Sequence, residues 1–156
     1  MSMPLHNVVV ITDSTELGRW IQRILDLRFA ATAAVFSITY SESNVLLTPD
    51  RIKETSLFVL ELFRSYPGGL RAEGLVLADR WRRHKPCLVV SPLHLAAELR
   101  CEGYWDTASE DTLAARAERI VRLPERRYGG FDRMLHCFEP MLKIPPQHEK
   151  KRVVPL

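Results

Sequence analysis

Three cysteines in 156 residues, at positions 87, 101 and 137, are too few and too widely spaced for a disulfide scaffold. No CxxC pair or suitably placed histidine completes a zinc site, so they read as reduced, structural thiols and no metal is expected. Long apolar runs are also lacking. None approaches the roughly 20 residues that span a bilayer, so no membrane association is expected. The opening "MSMPLHNVVV" has neither the charged start nor the cleavage site of a signal peptide, which points to the cytoplasm. Nor is charge of one sign in excess: 22 Lys and Arg face 19 Asp and Glu, for a net +3. The surplus lies on helix faces and near the end of the chain rather than in one concentrated basic face, so nucleic acid is not an expected partner. Glycine is sparse, and the turn after the first apolar run, "ITDSTELG", offers only Gly18, already inside the next helix. That excludes a P-loop or dinucleotide fingerprint. None of the five histidines sits in a recognisable catalytic motif, and Ser91 lies in no GxSxG elbow. The chain is therefore not expected to be an enzyme or to carry a resident cofactor.

What is present is enough apolar material, 46% of the composition, to bury the core of one domain. "NVVVIT" (7–12) is a strand-like run followed by Asp13, Ser14 and Thr15. Asp13 with Glu16 three residues on predicts a capping box, and Leu17, Trp20, Ile21, Ile24 and Leu25 recur at helical spacing. "ATAAVFSITY" (31–40) predicts a second strand and "TPDRIKE" (48–54) a short helix with Pro49 at its first position. "SLFVLE" (56–61) is a continuous apolar run ending in an acid, the mark of a buried parallel strand with Glu61 at its carboxyl end. After a Tyr66–Pro67–Gly68–Gly69 turn, Leu70, Gly74, Leu77, Ala78 and Trp81 predict the buried stripe of another helix. "KPCLVVSP" (85–92) is a fourth strand, "LHLAAELRCEG" (93–103) a short helix, and "YWDTA" (104–108) a fifth strand. Ser109, Glu110 and Asp111 then supply a cap and acids to a last helix, whose buried positions are Leu113, Ala117, Ile120 and Val121.

Five alternations of strand and helix predict an α/β domain over residues 1–123: a five-stranded parallel sheet, doubly wound, between two helical layers. Residues 124–156 form an extension. A helix is expected at about 131–142, with Phe131, Met134, Leu135 and Phe138 on one face, followed by a polar tail.

The order and size of residues 7–123, and the residues at the strand ends, resemble the response-regulator receiver domain of two-component signalling, a flavodoxin-like fold. In that family the first strand ends on a pair of acids that bind magnesium. The third ends on the phosphoaccepting aspartate, the fourth on Ser or Thr, and the fifth on a lysine preceded by a switching aromatic. The corresponding positions here are Thr12 and Asp13, then Glu61, then Ser91, then Thr107 with Tyr104 as the aromatic. Only Asp13, Ser91 and Tyr104 keep the family's chemistry. The loss of one acid and of the lysine removes ligands and charge that phosphoryl transfer requires. Glutamate in place of aspartate also moves the nucleophile by a methylene. The resemblance thus implies a degenerate receiver, or pseudo-receiver, that takes no phosphate and works as a protein-interaction module in bacterial signalling.

Plainer roles stand beside these. Glu61 could be a solvated loop carboxylate, Asp13 a helix cap, Ser91 a turn residue before Pro92, and Tyr104 and Trp105 half-buried aromatics near the sheet edge. A rival function is a flavodoxin-like binder of a flavin or nucleotide, with the hydroxyls of "TDST" on its phosphate. For the signalling reading, a homodimer is expected through the 131–138 stripe or through the face spanning residues 93–121, the latter being also the expected contact for a protein partner.

Overall fold

The computed structural model describes residues 7–29, 33–96, 101–123 and 130–146. Five parallel strands form the central sheet. They are β1 (Asn7–Ile11), β2 (Ala34–Ile38), β3 (Leu57–Glu61), β6 (Cys87–Ser91) and β7 (Tyr104–Asp106), in the spatial order β2-β1-β3-β6-β7. A second, two-stranded sheet pairs β4 (Arg64–Tyr66) antiparallel with β5 (Gly69–Arg71). The order reverses direction after β2. With right-handed crossovers this reversal places the helices on opposite faces, giving a three-layer flavodoxin-like α/β fold. Helices α1 (Thr15–Phe29) and α5 (Leu113–Arg122) pack side by side. The connection over the other face carries α2 (Tyr40–Leu46), α3 (Pro49–Glu54) and α4 (Glu73–Trp81).

The three inner strands β1, β3 and β6 are apolar without alternation because both of their faces are covered, whereas the edge strand β2 leaves Ala34, Phe36 and Ser37 exposed. Val8 to Ile11, Leu57 to Leu60 and Cys87 to Val90 are all buried. Phe58 stacks on Trp81 with ring centroids 4.4 Å apart, fixing α4 against the middle of the sheet. Cys87 and Cys101 are buried and Cys137 exposed, and burial pushes the Cys101 thiol up to about 11. That is the behaviour of a structural thiol.

Several local expectations are corrected. Helix α1 is capped by Ser14, whose Oγ accepts from Leu17 N–H at 3.2 Å, so Asp13 is released for other contacts. The strand predicted at 31–40 gives up Tyr40 to α2, which opens with a full capping box between Thr39 and Glu42. Leu70 belongs to β5 rather than to a helical stripe, because Gly69, at φ 138°, turns the chain back into a hairpin. Residues 93–96 are not helical, residues 97–100 lie outside the described ones, and Gly103 leads directly into β7. The cap of α5 is Thr112, which accepts from Ala115 N–H at 3.1 Å. Tyr104 and Trp105 are buried rather than half-buried.

The extension also differs from expectation. Helix α6 is Phe131–Cys137, and Pro140 starts a separate 3-10 turn at Glu139–Met141. Its apolar stripe is not surplus: Phe131 and Met134 belong to the domain's own core, with Leu135 and Phe138 packed against it. Arg82 lies 4.4 Å over the Phe131 ring, and Ala72 N–H donates to the Met141 carbonyl, so the extension is bound to the α4 side. The tail beyond Pro146 lies outside the described residues.

Candidate functional site

The carboxyl ends of β1 and β3 lie side by side at the point where the strand order reverses, where ligands bind in open α/β sheets. Three of the expected residues meet there. Thr12, 3% exposed, donates from Oγ1 to Glu61 Oε1 at 2.5 Å. The same hydroxyl accepts from Ser14 N–H at 3.0 Å and so is held in both roles. Asp13 accepts from Tyr40 N–H on Oδ1 at 3.0 Å and from Arg64 Nε on Oδ2 at 3.1 Å.

Arg64 was not anticipated from the sequence, yet it fills the centre of the site. The hairpin that follows β3 after only two residues folds this side chain back over the strand ends. Its Nη2 donates to Ser41 Oγ at 2.9 Å, and its guanidinium lies 5.6 Å from the Tyr40 ring centroid and 5.0 Å from that of Tyr66. Tyr40 donates its hydroxyl to the Glu61 carbonyl, and Tyr66 donates to Glu73 Oε1 at 2.7 Å. Gly74 permits this closeness. A Cβ there would stand 2.4 Å from the Glu61 carbonyl oxygen. The alternation of "RSY" and "GLR" around Pro–Gly–Gly was the available signal for the hairpin.

Charge in the site is arranged around the half-buried Glu61 and the exposed Asp13. Burial raises the Glu61 carboxyl above its ordinary value, the Thr12 hydrogen bond opposes that rise, and Asp13 adds to it. Burial likewise raises the Tyr40 hydroxyl far above its usual range, with Glu61, Glu73 and Asp13 contributing and Arg64 opposing. Tyr66 is raised by burial and by its bond to Glu73. Both phenols thus stay protonated donors.

Ser91, Tyr104 and Thr107 are not brought to Glu61. Ser91 Oγ accepts from Leu93 N–H at 3.0 Å, and no hydrogen bond joins it to Glu61 among the described residues. The Tyr104 hydroxyl lies 3.1 Å from both the Leu93 carbonyl and Asp106 Oδ2. Thr107 Oγ1 stands 3.3 Å from His94 Nδ1. These residues form a second cluster centred on Asp106, which is fully buried and also accepts from the Leu95 and Ala108 N–H groups at 3.1 and 2.8 Å. Trp105 donates from its indole to the Asp111 carbonyl at 3.0 Å and packs on Trp20. The sequence reading missed Asp106 and His94, hidden in the weak strand "YWDTA" and in a segment read as helix.

Among the described residues no group of three or more His, Cys, Asp and Glu side chains is disposed to hold a metal ion. No helix among them is long and apolar enough to cross a membrane. Comparison with protein-family models and with curated proteins finds no match to this chain.

Proposed function

We propose that this protein is a receiver-like interaction module of cytoplasmic bacterial signalling whose acidic pocket is neutralised from within instead of by magnesium and a phosphoryl group. The observation that carries this reading is the Arg64 latch: a guanidinium bonded to Asp13 and Ser41 and held between two tyrosine rings, beside a Glu61 already engaged by Thr12. An incoming phosphoryl donor would have to displace that cation, and among the described residues no lysine is bonded to Glu61 to stabilise the charge that develops in transfer. The module then presents one fixed state to a protein partner. The surface at the ends of β6 and β7 suits that contact, since Leu93 is 58% exposed there beside His94 and Thr107. Self-association through this same surface, giving a homodimer, belongs to the reading as well. The burial of Phe131 and Met134 withdraws the argument for a dimer through α6.

The test is the intact mass of the full chain after incubation with acetyl phosphate and magnesium. No phosphoryl adduct is expected at any residue. Stoichiometric labelling that is abolished in Glu61→Gln overturns the proposal.

A further inference from the structure

The edge strand β2 leaves an apolar hollow uncovered. Phe36 is 44% and Leu46 43% exposed, and both line a space of about 330 Å3 bordered by β2, the end of α2 and α3. That volume lies at the small end of ligand pockets. Val35, Ile38 and Leu47 continue its apolar wall. Of the polar groups on the same wall, Gln22 is already engaged, donating to the Val35 carbonyl at 3.1 Å.

Arg51 is the one charged side chain among the residues lining this hollow, and no carboxylate stands there with it. It forms no ion pair among the described residues, and its guanidinium lies 5.9 Å from the Phe36 ring centroid, so cation and ring are presented side by side. The acids Asp13 and Glu42 belong to a neighbouring polar hollow, which has neither Arg51 nor Phe36 nor Leu46 on its walls. This pairing narrows the occupant. A cationic ligand finds no counter-charge, and a wholly apolar one would take the guanidinium out of water without replacing its hydrogen bonds. An added peptide strand would meet a Val35 carbonyl already bonded to Gln22. A carboxylate offers two oxygens to the parallel N–H groups of a single guanidinium and needs no second cation.

We infer that the hollow beside β2 binds a small apolar monocarboxylic acid, with the carboxylate on Arg51 and the hydrocarbon body, an alkyl chain or an aryl ring, laid over Phe36 and Leu46. None of Thr12, Asp13, Glu61 and Arg64 lines it. The inference therefore stands or falls independently of the phosphorylation test. Occupied, the hollow gives the protein a small-molecule input on the sheet edge opposite β7.

Isothermal titration of the full chain with octanoate and with 2-naphthoate tests the inference, with octanamide, 2-naphthamide and acetate as separate arms. At least one of the two acids is expected to bind with a Kd below about 500 μM, and failure of both to do so overturns the inference. The amide of the acid that binds, and acetate, should each be at least about fivefold weaker. A smaller difference in either arm means that charge or hydrocarbon alone is being read, and overturns it. Arg51→Gln and Phe36→Ala should each weaken the acid at least about fivefold; both side chains are exposed, so both variants are expected to fold, as circular dichroism will show. An affinity unchanged in either variant overturns the inference. Amide chemical shifts of the unaltered chain give a readout that needs no variant. The acid should move residues 35–38 and 46–51, and shifts confined to Thr12, Asp13 and Glu61 overturn the site.

Discussion

Glu61 holds its proton more firmly in the folded chain than in the unfolded one, because it is taken out of water beside Asp13 and Thr12 compensates only in part. Between the ordinary glutamate value of about 4.3 and the raised folded value, the native state binds more protons than the unfolded state, so this residue's contribution to stability falls as pH rises. Glu61→Gln removes that loss while keeping a side-chain oxygen to accept from Thr12. The variant should therefore gain stability relative to the parent as pH is raised from about 4 to 7, read as a growing difference in Tm across that range. A difference independent of pH would mean that Glu61 titrates as a solvated carboxylate. The positions of Thr12, Asp13 and Glu61 could be read from sequence because each ends an apolar run, and parallel strands bring their ends together. Arg64 could not, since its contact with Asp13 spans 51 residues and depends on a hairpin folding back.

Short elements were the ones that sequence periodicity failed to reveal. Strands β4 and β5 have three residues each, too few for an alternating pattern to stand out, and α2 was hidden because Tyr40 continues the apolar run of β2. The short strand β7 was visible only as two aromatics, and what fixes it is a side chain from α5. Arg116 holds Asp111 through two bonds of 2.7 and 3.0 Å and donates to the carbonyls of Cys101, Glu102 and Tyr104 at 3.3, 3.3 and 2.5 Å. It thus ties α5 to the segment entering β7. Burial acts to raise the Asp111 carboxyl, but Arg116 and then Arg119 outweigh it and hold the group below its usual range. Its contribution to stability is therefore present above the ordinary carboxylate value and is lost as pH falls through the lowered folded value. Arg116→Ala leaves Asp111 with Arg119 as its remaining guanidinium partner and removes a donor from the Cys101, Glu102 and Tyr104 carbonyls, of which Cys101 keeps the Tyr104 N–H. It should cost about 2–4 kcal/mol at neutral pH in chemical denaturation. The deficit should shrink as the solution is acidified below about pH 4, where the parent loses the same interaction. A loss under about 0.5 kcal/mol would show that β7 is held by the sheet alone.

At the scale of the whole molecule, the doubly wound sheet was legible because five buried strands alternating with helical patterns admit few topologies. The place of the extension was not, because an apolar stripe has the same sequence pattern whether it packs on its own domain or on another chain. Three contacts decide the matter. Phe131 lies under the Arg82 guanidinium, Met134 Sδ stands 3.4 Å from Cys101 Sγ, and Phe138 meets Phe63 edge-on at 5.7 Å. At the hairpin tip, a Cβ on Gly68 would come within 2.1 Å of the Pro146 carbonyl oxygen, so Pro145 and Pro146 lie against the hairpin that carries Arg64. Extension and latch are thereby one packing unit, and loosening the first should reach the second. Met134→Ala and Phe131→Ala each remove a fully buried side chain and should cost about 2–5 kcal/mol, measured by urea denaturation. If α6 were instead a dimer contact, the same substitutions would leave the monomer's stability unchanged and make the midpoint of the parent, but not of the variants, depend on protein concentration. A loss of stability independent of concentration is the expected result, because both side chains are already buried within a single chain.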